Sequence, residues 1–207
     1  MPDTSPKTAR IEAFSDGVIA IVITIMILEL KLPEHAGEGD FWHSLLAPLL
    51  PKLIPYILSF IVIAIMWVNH HHLLDSARRA GYGVMWCNNN LLFWMTLIPV
   101  STAFLGEHPF NAIAVATYGF VLAACTWAFT LLRWNVTRDE HGHLSARYAA
   151  ILKKSLVGTS LYTASVPLAF VSIYISMAIF VTIPAIFFLP SFLLPRWATD
   201  DQEKHRG

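Results

Sequence analysis

Apolar positions in this chain come in long runs, not in the alternation of a half-buried strand or the narrow stripe of a soluble helix. The first run reaches from Gly17 to Leu28 and is closed by Glu29, Lys31 and Pro33; Arg10, Glu12 and Asp16 stand before it. A bilayer core needs about twenty predominantly apolar residues in a helix, and residues 14–32 meet that length. The run is rich in Ile and Val, which suits a buried strand, but its length argues for a spanning helix. Comparable runs cover about 51–69, 84–105, 111–132, 155–171 and 174–193. The pattern predicts an all-α membrane protein with six transmembrane helices, folded as one domain over 1–207.

Between the runs the elements are short. Residues 1–9 are polar, hold Pro2 and Pro6, and read as a disordered tail. Residues 41–50 read as a separate interfacial helix, because Trp42 and the leucines suit the headgroup boundary. Pro55 lies in the first turns of the second span, where proline costs least. The third span carries Asn88, Asn89 and Asn90, then Pro99 and Thr102. The fourth holds small residues at 112, 114, 116, 119, 123 and 124 that permit close packing. Residues 134–154 read as a loop or helical extension, and Ser172–Ile173 as a very short turn. There is no internal repeat.

Composition agrees. Of 207 residues, 56% are hydrophobic and 14% charged, against about 25% charged in ordinary soluble domains. The formal net charge is +0, so nothing points to nucleic acid. Cys87 and Cys125 sit in apolar runs and read as packing thiols, without a disulfide or metal framework. The first run is too long for the usual core of a signal peptide and lacks a small-x-small cleavage site, so it reads as a mature helix. Charge placement is more informative than charge total. Lys7, Arg10, Arg78, Arg79, Arg133, Arg138, Arg147, Lys153, Lys154, Arg196, Lys204 and Arg206 fall on one side of a six-span arrangement; only Lys31 and Lys52 fall on the other. That bias predicts both termini in the cytoplasm.

Candidate chemistry concentrates near the first helix. At about 100° per residue, Ile21, Ile25 and Leu28 share one stripe, Thr24 flanks it, and Asp16 points roughly 140° away. Such a stripe suits lipid or a neighbouring helix as well as a pore. An ionisable residue in a span calls for a function or an anchor, and Arg10, Ser15 or the His70 region are the expected partners of Asp16. The run His70-His71-His72 is not a metal site by spacing, since consecutive helical residues point in different directions. Asparagines in a span hydrogen-bond across to neighbouring helices. No Gly-x-Ser-x-Gly or His-Glu-x-x-His pattern suggests an enzyme.

Several motifs carry a resemblance. Arg10-x-x-x-Phe14-Ser15-Asp16-Gly17 leads into an Ile/Val/Thr-rich helix that ends in Leu28-Glu29-Leu30. Trp67-x-Asn69-His70-His71 follows in the second span, then Asn90-Leu91-Leu92-Phe93 and Pro99-x-x-Thr102 in the third. Together they resemble the endosomal/lysosomal potassium channel family (transmembrane protein 175), which has bacterial members. The resemblance implies a homotetramer in a bacterial inner membrane, surrounded by lipid, with four first helices lining a central pore. It implies structural roles for Arg10, Phe14, Ser15, Asp16, Trp67, Asn69, His70 and Asn90. It implies potassium, or cations with weak selectivity, as the permeant species, with no cofactor. Animal members carry two copies of the six-helix unit, and this chain carries one. His72 stands where the family has arginine, and Ile173 where it often has proline.

A Thr-Val-Gly-Tyr-Gly filter is absent, so side chains must form the constriction. Ile21 would make the tightest ring, with Ile25 and Leu28 as further apolar layers that can shut the pore by dewetting. Thr24 is the expected source of selectivity, and Glu29 would stand at the outer mouth. The alternative is a proton-coupled secondary transporter, with Asp16 and the histidines as a relay. Against it, the sequence shows neither a repeat nor the Gly/Pro-broken helix pair that transporters use.

Overall fold

The computed structural model describes residues 6–32, 40–75, 77, 81–141 and 146–193. Helix α1 spans Pro6–Leu28 and α2 spans Ala47–Asp75, entered through a π turn at Trp42–Leu46. Then come α3 (Tyr82–Met95), α4 (Ile98–Glu107), α5 (Ala112–His141), α6 (Ala146–Val171) and α7 (Ile173–Leu193). With α3 and α4 taken as one interrupted pass, the chain makes six helical passes, and the described residues contain no strand. Thr8–Leu28, Trp42–Asp75 and Ala112–Thr137 are long and apolar enough to cross a membrane, while Ser155–Val171 and Ile173–Ile186 are shorter apolar helices. Arg78, Arg79, Arg196, Lys204 and Arg206, on which the charge bias partly rests, lie outside the described residues, as does the loop at 34–39.

Four local expectations need correction. Helix α1 begins at Pro6, inside the stretch expected to be a disordered tail, because a proline in a first turn loses no intrahelical hydrogen bond. It also stops at Leu28, not Leu32. The amide of Leu30 turns back to the Ile27 carbonyl at 3.1 Å, and Pro33 disfavours a helical residue before it. The separate interfacial helix is not separate: Trp42–Asp75 is one continuous helix. Its entry is the π turn, which widens the coil just before Pro48, whose ring would clash with the Ser44 carbonyl in an ordinary turn.

The third pass is two helices. Pro99 has no N–H for the Met95 carbonyl, and the backbone turns at Thr96–Leu97. The Leu97 amide bonds the Trp94 carbonyl at 3.1 Å, and the Thr96 hydroxyl donates to the Phe93 carbonyl at 2.7 Å. Hydroxyls of this kind make a helix break tolerable where water is absent.

Buried hydroxyls mark the seams between passes. Ser59 of α2 lies 2.7 Å from the Thr102 hydroxyl of α4 and 2.9 Å from the Tyr118 hydroxyl of α5. All three residues are buried. Thr102 also donates to the Ile98 carbonyl at 2.7 Å, so no member is stranded in the apolar interior. On α6 and α7, Tyr162 and Phe180 stack at 6.4 Å, and Phe180 meets Tyr118 edge-on at 5.0 Å. Gly119 makes that junction possible. A Cβ there would sit 2.6 Å from Ser165 Oγ and 3.1 Å from the Phe180 ring.

Gly119→Ala should therefore cost about 1–3 kcal/mol through overpacking, seen as a lower thermal unfolding midpoint of the purified protein in detergent. Adding Ser165→Ala should recover part of the loss. An unchanged midpoint for the single variant would show that α5 and α6 have room to spare.

Candidate ion pathway

Helix α1 has two different faces. Ile11, Ser15, Ile19, Val22 and Met26 are buried against the rest of the chain, at spacings of four, four, three and four residues. On the far side Ile21 is 57% exposed, Ile25 44% and Leu28 73%, and Thr24 and Gly17 are exposed with them. The stripe predicted from spacing is thus an outward face of α1, exposed among the described residues. Ile23, about 160° from Ile21 around the helix, is half-buried and packs against the core. The Thr24 hydroxyl reaches the carbonyls of Ala20 and Ile21, at 3.0 Å each. Its proton is turned into its own helix, so its lone pairs are left for an outside donor or cation.

The buried face is clamped by a polar network. Ser15 Oγ donates to the Ile11 carbonyl at 2.8 Å and accepts from Asn88 Nδ2 at 2.9 Å. Asn88 Oδ1 lies 2.7 Å from His70 Nε2. An amide oxygen can only accept, so His70 donates through Nε2. Its Nδ1 is buried and has no hydrogen-bond partner among the described residues. Three helices, α1, α2 and α3, meet in this one chain of bonds, and Ser15, His70 and Asn88 are all essentially inaccessible.

Beside it run two further ties between α1 and α2. Trp67 Nε1 donates to Asp16 Oδ1 at 2.9 Å, and His71 Nδ1 lies 2.8 Å from Glu12 Oε1. Trp67 and His71 stack at 6.1 Å, one turn apart. Asp16 is therefore held from the His70 region of α2, through Trp67, and not by Arg10 or Ser15. Arg10 is exposed and forms no hydrogen bond or ion pair with another described residue. Phe14 is 59% exposed. Asn69 bonds the Ile65 carbonyl of its own helix at 2.7 Å. Asn90 is exposed, and Asn88 makes the contacts that the third-helix asparagines were expected to make. No group of three or more His, Cys, Asp or Glu suited to a metal occurs among the described residues.

At the other end α1 stops against a small cleft lined by Met26, Glu29, Leu30, Lys52, Tyr56, Thr102 and Glu107, with room for about one water, ≈ 10 Å³. Gly106 lets α4 approach α2 there, 3.0 Å separating a would-be Cβ from Lys52 Cα.

An apolar helix face turned outward, with its back fixed by buried polar bonds, belongs to a multi-pass helical membrane protein. Comparison with known proteins makes the assignment specific. Residues 10–99 match the family described as Endosomal/lysosomal potassium channel TMEM175. A potassium channel of Chryseobacterium sp. (strain P1-3) is 38% identical over 182 residues, covering 87% of this chain and 92% of the relative. The Gallus gallus endosomal/lysosomal proton channel TMEM175 is 39% identical over 152 residues, covering 67% of this chain and 30% of that one. The crystal structure of a lysosomal potassium-selective channel TMEM175 homolog from Chamaesiphon minutus superposes with a TM-score of 0.79 at 33% identity, over 90% of this chain and 99% of that one. The chain belongs to the TMEM175 family of ion channels.

Asn88→Leu should strand His70, whose Nε2–H loses its acceptor, at about 1–3 kcal/mol, and leave Ser15 with its bond to the Ile11 carbonyl alone. The exposed neighbour gives the contrast: Asn90→Leu should leave the thermal midpoint nearly unchanged. Equal losses from the two variants would mean that the clamp does not govern stability.

Proposed function

We propose that this chain is a potassium channel of a bacterial inner membrane, assembled as a homotetramer with α1 of each subunit around a central pore. The observation that carries the reading is the exposure of Ile21, Ile25 and Leu28 on a helix whose other side buries Ile11, Ser15, Ile19, Val22 and Met26. Four such stripes brought together would form an apolar constriction, tightest at Ile21, with Ile25 and Leu28 as further layers. Water leaves a narrow apolar ring readily, and an ion cannot cross it without its hydration shell, so the ring works as a gate. Thr24 supports selectivity in the same reading, since its outward lone pairs could replace part of the hydration shell of potassium. The names of the bacterial relatives support potassium as the permeant ion; the name of the chicken relative makes protons a second candidate. Membrane lipid would cover the remaining outer faces.

The transporter alternative gains little from the break at Thr96–Leu97. Transporters place two matched broken helices around a midplane site, and here a single pass is interrupted by proline among the described residues. Asp16 is engaged by Trp67 of α2, a tie that fits an anchor better than a proton relay.

Ile21→Asn tests the pore directly. The side chain keeps nearly the same volume but gains an amide that holds water. Conductance in liposomes or planar bilayers should rise, and the preference for potassium over sodium should fall. Ile23→Asn, off the stripe, should disturb packing without raising conductance. Equal currents at equal yields of assembled protein would place the stripe against lipid. Measuring proton flux in the same vesicles separates the two permeant candidates.

Two further tests follow from the same reading. Asp16→Ala, which deprives Trp67 of its acceptor, should reduce the yield of assembled protein more than the current of each channel. A variant that assembles fully yet changes selectivity would move Asp16 into the pore. For topology, a reporter after Gly207 should read cytoplasmic and one near Gly37 external, and the opposite at either point would break the six-pass orientation.

A further inference from the structure

The exposed stripe of α1 does not end at Gly17. Phe14 and Arg10 continue it, and both are exposed. At 100° per residue Phe14 lies about 20° to one side of Ile21 and Arg10 about 20° to the other. Positions 10, 14, 17, 21, 25 and 28 advance by four, three, four, four and three residues, the spacing of one continuous helix face. A rise of 1.5 Å per residue puts Arg10 about 16 Å along the axis from Ile21.

The charges beside Arg10 are accounted for on other faces. Glu12 is roughly opposite the stripe and lies 2.8 Å from His71 Nδ1. Asp16 is roughly 140° from it and accepts from Trp67. Neither carboxylate is turned to the stripe, and Arg10 has no ion-pair partner among the described residues. Among the described residues, the outward stripe at this end of α1 therefore carries a positive charge and no negative one.

We infer that Arg10 lines the mouth of the ion pathway at the end where the chain begins, forming a ring of positive charge that throttles cations coming in from that side. The inference rests on the proposed pore and adds a direction to it. Four guanidiniums around a water-filled mouth lower the local cation concentration, as a ring of carboxylates would raise it. Guanidinium stays charged across the accessible pH range, so the effect is permanent. Cations approaching from the opposite end meet the constriction before they meet the ring. The barrier is thus unequal in the two directions, and the channel should rectify.

The test uses the full chain in planar bilayers, reading single-channel current against voltage in symmetrical potassium chloride at low and high concentration. In Arg10→Gln, current carried from the Arg10 side should rise about two-fold or more at low salt, and rectification should shrink. Arg10→Lys, which keeps the charge, should rectify like the parent. Near 1 M salt, where the Debye length is about 3 Å, parent and Gln variant should converge. An assembled Arg10→Gln channel with the parent's rectification at low salt would overturn the inference. So would failure of Arg10→Gln to assemble while Arg10→Lys assembles, which would make Arg10 a clamp between subunits. Ile21→Asn in the same preparation separates the two readings. If it raises current and Arg10→Gln changes nothing, only the mouth assignment falls; if neither has an effect, the pore on α1 falls with it.

Discussion

Everything the first helix offers to the outside depends on how its back is held. In hydrocarbon, packing alone discriminates weakly between rotations of a helix, because lipid tails are as apolar as leucine. A buried hydroxyl or amide discriminates strongly, since turning it away leaves it without a partner. Ser15, Asn88 and His70 supply that discrimination for α1. Rotating the helix by one residue, 100°, would carry Ser15 out of reach of Asn88 and swing Ile21 toward the core. The polar chain is a rotational lock, and the apolar stripe faces outward because the lock is closed.

The same economy recurs elsewhere. Ser59, Thr102 and Tyr118 join α2, α4 and α5. Thr130 of α5 lies 3.0 Å from the Ser155 hydroxyl of α6, and Ser176 of α7 donates to the Ser165 carbonyl of α6 at 2.7 Å. Each seam carries small hydroxyls rather than charges, so the passes are fixed in register without the desolvation penalty of buried ion pairs. Asp75 and Glu107 sit at helix ends, whereas Asp16 and Arg133 lie within helices, Asp16 held by Trp67 and Arg133 over the Phe129 ring.

Run lengths alone made the six passes legible, and a period of 3.6 picked out the face of α1 that carries Ile21, Ile25 and Leu28. The details of the clamp were harder to read. Asn88, Asn89 and Asn90 are consecutive and point 100° apart, so composition cannot say which one faces α1; that depends on the rotation of α3, which Asn88 itself helps to set. Arg10, Ser15 and the His70 region all stood open as partners of Asp16; six residues put Arg10 on another face, and the indole of Trp67, one turn from His70, takes the role. Nor could hydropathy register the break at Thr96–Leu97, because the residues on both sides of it are apolar. Pro99 was visible, but Pro51 and Pro55 lie within a continuous α2, so proline alone does not locate a break.

Two connections at the end of the bundle where α1 stops are minimal. Four residues join α4 to α5, and Ser172 alone joins α6 to α7. A one-residue turn cannot accept an inserted peptide without pulling the two helices apart, and the Gly106 approach of α4 to Lys52 lies immediately beside the other turn. On this side an epitope, a fluorophore or a binding protein finds little to grip in either hairpin.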